Sequence, residues 1–309
     1  MGRGHGRLSA TSPSAYPRAS MQHTVTEPSP PFRSADDRLE VHQIPVWQDN
    51  LVWIAVCTAS GEAAAIDGPE AGAVLAYCEA HDLRLTTILN THTHMDHVGI
   101  NHELARAGTL GRYRVFGPAK KARDVPGLTD PMEDGSKARV GEVELDVMLT
   151  EGHIDGHVSY LASDVLFCGD TLFAAGCGRL FDGPPEKMFA SLRRLTALDP
   201  ATRVCCAHEY TQDNLRFAWS VEPDNAALAE RIRRVFALRA EGRSAVPSTI
   251  GEERATNPFV RHASETLRAN VREAWPDRTL DTGEAIFAAT RALKDRGDYR
   301  RAGDSTLPL

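Results

Sequence analysis

The pattern of hydrophobic and polar positions changes close to residue 38. Before this point Ser, Pro, Arg and Gly dominate, and apolar residues are few and without periodicity. Such a segment cannot bury enough apolar surface to offset the entropy lost on ordering, so we predict a disordered N-terminal extension over residues 1–37. Its Arg and Ser content faintly resembles a transit peptide, and Met21 is an alternative start.

Beyond residue 38, short apolar or alternating runs bounded by turn residues predict strands. A helix is predicted over residues 69–81, where apolar residues recur at helical spacing after Gly68-Pro69. Strands with interspersed helices, in two similar halves, predict an α/β sandwich with the layer order helix, sheet, sheet, helix. The predicted strands are residues 39–46, 51–58, 63–66, 86–90, 113–116, 142–150, 158–162, 165–168 and 203–207.

The last third of the chain has a helical pattern. One apolar stripe comprises Leu228, Ile232, Val235 and Leu238. Asp281, with Glu284 three residues later, resembles the capping box of a final helix that Gly297 ends. We therefore predict a catalytic domain over residues 38–214 and a smaller helical domain over residues 215–309.

Composition narrows the possible functions. The 309 residues are 42% hydrophobic and 25% charged, which is ordinary globular usage and enough for two domains. A net charge of −7 argues against a general nucleic-acid surface, which needs a basic patch. No run approaches the roughly 20 apolar residues of a membrane span, and the N-terminus lacks the apolar core of a secretory signal. We expect a cytoplasmic protein that acts on a small molecule, with neither nucleic acid nor membrane as partner.

The six cysteines show no CxxC spacing and mostly lie in apolar runs, so we expect them to be reduced and buried rather than paired. They are Cys57, Cys78, Cys168, Cys177, Cys205 and Cys206.

The densest group of metal-competent side chains is in residues 91–97 (THTHMDH), directly after a predicted strand. If the segment stays extended, His92 and His94 point to the same side, so that two imidazoles can bind one cation. Asp96 and His97 then face elsewhere and are available to a second cation. Two adjacent metal ions that share a water or hydroxide are typical of hydrolases.

Three more candidate ligands follow predicted strands in the second half: His153, Asp170 and His208. Each alone is more typical of a turn than of a metal site, but together they complete two coordination shells. Gly152 and Gly169 precede two of them and permit close backbone approach.

Together these motifs resemble a known family. The order His-x-His-x-Asp-His, His153, Asp170, His208 is similar to the metallo-β-lactamase superfamily. Later segments resemble, more narrowly, the glyoxalase II (hydroxyacylglutathione hydrolase) family, over roughly residues 39–296. These segments are residues 168–173 (CGDTLF), 176–179 (GCGR), 208–211 (HEYT), 257–259 (NPF) and 291–295, with Arg291 and Lys294 three apart. The resemblance implies a four-layer αββα sandwich with a C-terminal helical domain.

The resemblance also implies how the ligands are divided. His92, His94 and His153 would hold one divalent cation, Asp96, His97 and His208 a second, and Asp170 would bridge both. This donor set suits zinc, which we expect, or iron or manganese. His157 is then expected to pack against the site rather than bind metal, because both shells are full.

By the same resemblance the reaction is hydrolysis of the thioester S-D-lactoylglutathione to glutathione and D-lactate, a step in methylglyoxal detoxification. Asp96 and Asp170 would act in catalysis, with a hydroxide between the metal ions as nucleophile. Arg179, Tyr210, Arg291 and Lys294 would bind glutathione, in a chain expected to be monomeric.

The chain departs from the family pattern at two places. Residues 150–154 (TEGHI) replace Thr-Pro-Gly-His-Thr, although the histidine is retained. Phe181 stands where a glutathione-binding tyrosine is often found. The missing hydroxyl is expected to weaken peptide binding by about 1 kcal/mol and to widen thioester tolerance.

Three other functions compete with this interpretation. A mononuclear-iron glutathione persulfide dioxygenase would share much of the first metal shell, but the segments around Arg291 and His208 favour the hydrolase. A metal-dependent nuclease is disfavoured by the acidic balance. A non-catalytic metal-binding scaffold would not need every ligand position to be filled.

Overall fold

The fold is given by a computed structural model, which describes residues 24–309. Within this range the first sheet has seven strands that are neighbours in chain order; β1 to β4 pair antiparallel, and β4 to β7 pair parallel. They are β1 (Phe32–Arg33), β2 (Leu39–Val46), β3 (Asn50–Cys57), β4 (Glu62–Ile66), β5 (Arg84–Leu89), β6 (Arg114–Pro118) and β7 (Asp130–Met132).

The second sheet of the described chain has six strands in the order β15-β14-β11-β10-β9-β8, and its β11–β14 pair is parallel. A short hairpin, β12–β13, follows β11. The bounds are β8 (Lys137–Val140), β9 (Val143–Leu149), β10 (Val158–Ala162), β11 (Val165–Gly169), β12 (Leu172–Phe173), β13 (Gly176–Cys177), β14 (Arg203–Cys206) and β15 (Ser248–Thr249).

Helices cover the sheets and form most of the last hundred residues. None of the helices in residues 24–309 is long and apolar enough to cross a membrane. The α-helices are α1 (Ala71–Ala80), α2 (Met95–Arg106), α3 (Pro185–Leu195), α4 (Thr211–Val221), α5 (Ala226–Ala240), α6 (Ile250–Thr256), α7 (Glu265–Ala274) and α8 (Gly283–Arg296). Short 3₁₀ segments lie at Leu110–Arg112, Ala119–Asp124 and Asp298–Thr306.

Strand β3 shows why the chain folds in layers. Its residues alternate between two cores, as a strand covered on both faces requires. Trp53 and Ala55 lie in the core shared with the second sheet, whereas Ile54 and Val56 pack in a cluster with α1 and α2. On the other side, α3 contributes Met188 and Leu192 to the first core. The predicted α/β sandwich is therefore confirmed, and all six cysteines are buried and unpaired.

The N-terminal prediction is wrong for residues 24–37. Val25 is buried in the main core, Thr24 N donates to Gln48 O at 2.8 Å, and Glu27 forms a β-bridge with Arg243. The segment lacks an apolar pattern of its own, but its backbone finds partners in loops that are distant in sequence. Residues 1–23, with the alternative start Met21, lie outside the described part of the chain.

The helix ends differ from the predictions by small shifts. Thr282, not Asp281, caps α8, since its hydroxyl accepts from Ala285 N at 3.1 Å. The predicted end of this helix is confirmed, because Gly297 adopts the left-handed conformation with φ of 76°. The predicted boundary after residue 214 falls inside α4, which begins at Thr211.

A buried ion pair joins the helical region to the β12–β13 hairpin. Glu253, fully buried on α6, accepts from Arg231 Nη2 of α5 at 2.7 Å. Its other oxygen accepts from Ala175 N at 2.8 Å and from Asn257 Nδ2 at 2.9 Å. Because Ala175 lies in the turn of the hairpin, this carboxylate fixes the helices against the segment that leads to Arg179.

Replacing Glu253 by Gln should destabilise the fold, because the buried Arg231 would lose its closest carboxylate and keep only Glu252, whose Oε2 lies 3.3 Å away. We expect the free energy of unfolding in urea to fall by about 3 kcal/mol, as for other broken buried pairs. Glu230→Gln, the same change on an exposed position of α5, should alter it by less than about 0.5 kcal/mol. An equal change in the free energy of unfolding in both variants would contradict a stabilising role of the Arg231–Glu253 pair.

Candidate metal centre and substrate cavity

The predicted ligands converge at one edge of the two sheets because each follows the end of a strand. His92 comes after β5, His153 after β9, Asp170 after β11 and His208 after β14. The segment 91–97 is extended only as far as His94, which caps α2. Asp96 and His97 therefore lie in the first helical turn, and the turn of the helix directs them to a different point from His92 and His94.

The first group comprises His92, His94 and His153. His94 Nδ1 lies 3.1 Å from His92 Nε2 and 3.0 Å from His153 Nε2. The three ring nitrogens thus face a common point, as expected for ligands of one cation.

The second group comprises Asp96, His97 and His208. Asp96 Oδ2 lies 3.6 Å from His97 Nε2 and 3.3 Å from His208 Nε2. Asn50 Nδ2 donates to the same carboxylate oxygen at 3.0 Å and fixes it in place.

Asp170 lies between the two groups with one oxygen toward each. Its Oδ2 is 3.4 Å from His153 Nε2, while its Oδ1 is 3.4 Å from His97 Nε2 and 3.5 Å from His208 Nε2. This is the arrangement that a carboxylate bridging two cations requires.

Unsatisfied atoms show that the residues fit divalent cations. His97 Nε2 and Asp170 Oδ1 are buried without a hydrogen-bond partner in the described structure. Buried polar atoms rarely remain unpaired, and here they face each other and the remaining ligand atoms. Imidazole and carboxylate donors suit zinc, iron or manganese.

The second nitrogen of most candidate histidine ligands contacts a fixed oxygen. His92 Nδ1 meets Thr91 Oγ1 at 3.0 Å, and His153 Nδ1 meets the Arg179 carbonyl at 2.8 Å. Such contacts fix the tautomer and direct the other nitrogen to the metal position.

Two aspartates that the sequence analysis missed have the same role. Asp49 Oδ1 lies 3.0 Å from His208 Nδ1, and Asp67 Oδ2 lies 3.0 Å from His97 Nδ1. Asp67 also accepts from Thr91 N and Oγ1, each at 2.7 Å, so it fixes the start of the metal motif. Asp67 directly follows β4, the same strand-end position that identified the other ligands, and this signal was available in the sequence.

Glycines next to two ligands permit backbone packing that a side chain would prevent. A Cβ at Gly169 would lie 2.3 Å from Thr91 Oγ1, and one at Gly152 would lie 2.5 Å from Met188 Cα. Both glycines also have positive φ, of 47° and 138°. The close approach expected at these positions is confirmed.

His157 lies behind the site and outside both groups. Its Nε2 accepts from Asp170 N at 3.2 Å, so its Nδ1 carries the proton and faces the hydroxyls of Thr150 and Thr171 at 3.1 and 3.2 Å. These contacts support Asp170, as a packing role predicts.

The two groups differ in the pKa values of their histidines, which are lowered in the first group and raised in the second. Burial holds the pKa of His92 well below its usual value, and it also lowers the pKa of His94 and His153. Burial also acts to lower the pKa of His97 and His208. The negative charges of Asp170 and neighbouring carboxylates outweigh this effect and raise the two pKa values to about 8 and about 10. The carboxylates concentrated at the second group therefore favour positive charge there, whether a proton or a bound cation supplies it.

A cavity of about 660 Å³ opens above the two groups. All four predicted glutathione contacts, Arg179, Tyr210, Arg291 and Lys294, line it, as does Phe181. Tyr210 stacks on His208 with ring centroids 4.8 Å apart. The cavity thus connects the metal groups to cations on the last helix.

Arg291 and Lys294 are both buried at the wall of this cavity. Arg291 donates to the Cys177 carbonyl at 3.1 Å and to Asp295 Oδ1 at 2.8 Å. Lys294 donates to Asn214 Oδ1, and its Nζ is 4.0 Å from Asp213 Oδ2. Burial, followed by repulsion from Arg291, lowers the pKa of Lys294 to about 7. An anion in the cavity would satisfy this ammonium group.

Comparison with known families accounts for both parts of the chain. A model described as the metallo-beta-lactamase superfamily matches residues 57–208, and one described as the C-terminus of hydroxyacylglutathione hydrolase matches residues 209–297. The two matches meet between His208 and Glu209, just before α4. Membership of this superfamily, with the His and Asp groups above, indicates a protein that binds divalent metal.

Solved structures share the fold. ETHE1 from Myxococcus xanthus superposes with a TM-score of 0.55 at 25% identity, covering 83% of this chain and 99% of that one. The BLEG-1 B3 metallo-beta-lactamase gives 0.54 at 22% identity, covering 71% and 99%.

Curated relatives are closer in sequence. A hydroxyacylglutathione hydrolase of Methylococcus capsulatus is 49% identical over 235 residues, which are 75% of this chain and 91% of the relative. One of Alkalilimnicola ehrlichii is 44% identical over 259 residues, covering 83% and 99%. At this identity over nearly the whole length of these relatives, the chain belongs to the hydroxyacylglutathione hydrolase family.

Proposed function

We propose that this protein hydrolyses the thioester S-D-lactoylglutathione to glutathione and D-lactate. The observation that carries the proposal is one continuous cavity that joins the two His and Asp groups to the cations Arg291 and Lys294. Such a cavity suits a substrate with a reactive acyl group at one end and carboxylates at the other. The names of the curated relatives agree with this activity.

We assign His92, His94 and His153 to one divalent cation and Asp96, His97 and His208 to the other, with Asp170 between them. The facing nitrogens and the two oxygens of Asp170 support this division. Two such cations, for which zinc is our first choice with iron and manganese as alternatives, would supply a hydroxide near neutral pH and a Lewis acid for the developing oxyanion.

Asp96 is the residue we assign to orienting the attacking water. Its carboxylate lines the cavity, and Asn50 and His208 fix one of its oxygens. His208 and His97 hold the pKa of Asp96 well below its usual range against the opposing effect of burial, so it remains an acceptor at neutral pH. Water adds to the thioester carbonyl, the C–S bond breaks, and the thiol of glutathione leaves.

Cys177 is an unsuitable nucleophile although it lines the cavity. Burial raises the pKa of its thiol, which opposes formation of the reactive thiolate. Hydrolysis by activated water therefore fits the site better than an acyl-cysteine intermediate.

Glutathione recognition is assigned to Arg179, Tyr210, Arg291 and Lys294. Phe181 packs edge-on against the rings of His94 and His153, with centroids 5.3 and 5.2 Å away. It therefore presents an apolar edge beside the first metal group, where a tyrosine would offer a hydroxyl. This supports a broader range of acyl groups than a polar contact would allow.

The activity is tested by following thioester absorbance when the purified protein meets S-D-lactoylglutathione, with metal analysis of the same sample. We expect turnover with about two metal ions per chain, as a dinuclear centre requires. His94→Ala removes one nitrogen of the first group and should lose bound metal together with nearly all activity.

The variant His102→Ala, on the helix that His94 caps but outside both groups, is the matched control and should retain metal and turnover. Two bound metal ions without turnover would overturn the substrate assignment. Oxygen consumption with glutathione persulfide would then identify a dioxygenase.

Asp67→Asn tests whether the contact behind His97 matters for metal binding. Loss of the negative charge leaves Nδ1 of His97 poorly oriented, so we expect metal affinity to fall roughly 10- to 100-fold in chelator competition. Asp82→Asn, in an exposed turn, should leave the affinity unchanged. Equal affinity of parent and Asp67→Asn would show that His97 is held by other contacts.

The pH dependence of KM tests the role of Lys294. Its pKa of about 7 means that the ammonium form is present below this pH and is lost above it. Carboxylate binding needs the ammonium, so KM should rise above pH 7, by up to roughly tenfold per pH unit in the limiting range. Lys294→Arg should abolish this rise between pH 6 and 9, since arginine stays charged. The same rise of KM in Lys294→Arg would show that a group other than Lys294 causes the pH dependence.

A further inference from the structure

The chain continues past the last helix with a segment outside the family match, which ends at residue 297. Residues 298–309 fold back onto α4. Trp219 Nε1 donates to Thr306 O at 2.7 Å, Arg216 Nε donates to Asp304 Oδ1 at 2.5 Å, and Leu307 packs against the apolar cluster of α4 and α5. We refer to residues 298–309 as the C-terminal segment.

This packing brings Arg300 to the wall of the substrate cavity, where it joins Lys294 and Asp213. Arg300 Nε and Nη2 donate to the two oxygens of Asp213, each at 3.0 Å. Tyr299 OH donates to Asp213 Oδ2 at 2.7 Å. The guanidinium is therefore held in one orientation although its side chain is 61% exposed.

The charges at this wall do not balance. Four cations line it, Arg179, Arg291, Lys294 and Arg300, against the carboxylates of Asp213 and Asp295. Asp295 is paired with Arg291 and Asp213 with Arg300. The cationic groups thus outnumber the carboxylates at this wall, which favours binding of an anionic group such as a carboxylate of the glutathione peptide.

Arg300 and Lys294 approach the same oxygen. Asp213 Oδ2 accepts from Arg300 Nη2 at 3.0 Å and lies 4.0 Å from Lys294 Nζ. An anion that reaches Lys294 is therefore beside Arg300. In the described part of the chain, Nη1 of Arg300 has no protein acceptor and is available to it.

We propose that Arg300, supplied by the C-terminal segment, is an additional substrate-binding residue that binds a carboxylate of the glutathione peptide together with Lys294. Asp213 and Tyr299 act as positioning residues, because they hold the guanidinium plane at the cavity wall. The inference rests on the proposed function and extends its substrate site to residues beyond the family match.

The test compares the parent with Arg300→Gln and with Arg301→Gln in the full chain. Arg301 is the matched control because it lies in the same segment, is 85% exposed and does not line the cavity. Binding of S-methylglutathione is measured by calorimetry, KM and kcat are measured with S-D-lactoylglutathione, and thermal unfolding is followed for all three proteins.

For Arg300→Gln we expect the dissociation constant of S-methylglutathione and the KM to rise about fivefold, the scale of one partly exposed charge-assisted hydrogen bond. The change in kcat should be much smaller, and Arg301→Gln should match the parent. S-lactoylcysteamine, a thioester without either carboxylate, should be hydrolysed equally by all three proteins.

Unchanged binding in Arg300→Gln, or equal weakening in Arg301→Gln, would overturn the inference. One outcome separates the two proposals: the parent binds S-methylglutathione, Arg300→Gln binds it more weakly, and the parent hydrolyses no thioester. The proposed function would then be wrong, whereas the assignment of Arg300 as a binding residue would be supported. If the parent does not bind S-methylglutathione, both fail.

Discussion

The buried charge of Asp170 constrains the geometry of the whole site. A carboxylate removed from water is costly unless cations or hydrogen-bond donors surround it, and the cost is several kcal/mol per ion. Here His97, His153 and His208 stand within 3.5 Å of its oxygens. Because these three histidines come from α2 and from two strand ends of the second sheet, neutralising one carboxylate requires both sheets to meet at the same edge.

The start of α2 determines how seven consecutive residues contribute candidate ligands to two separate groups. An extended chain would alternate its side chains between two opposite faces. The change from extended to helical backbone at His94 instead directs Asp96 and His97 beside the position that His92 and His94 face. Gly99 permits this helix to lie close to the β4–α1 loop, since a Cβ there would be 2.0 Å from Pro69 O. The metal motif therefore depends on helix packing as much as on its own ligands.

Sequence reasoning identified most strands because alternation and turn residues are local signals; β2 and β10 agree with the predicted ranges at both ends. It placed the candidate ligands at strand ends for the same reason. It missed Asp67 although this residue directly follows β4, and it missed Asp49, whose contact with His208 depends on the tertiary fold. It also missed the order of residues 24–37, because their partners, such as Gln48 and Arg243, are set by tertiary packing. The assignment of each residue to a metal or to glutathione remains a prediction.

The two ends of the cavity are built by different parts of the chain, and this determines what it can bind. Strand ends and α2 supply the candidate metal ligands, while α4, α8, the C-terminal segment and the loop after β13, with Arg179, supply the charged wall. The distance between them depends on how the helices pack on the β12–β13 hairpin, where Glu253 contacts Ala175 and Asn257 contacts Gly176. A substrate held by its carboxylates at the wall has its acyl end delivered to the metal groups only if this contact is rigid. The buried Arg231–Glu253 pair does not line the cavity, but it fixes the helices that carry the charged wall against the hairpin next to the candidate metal ligands.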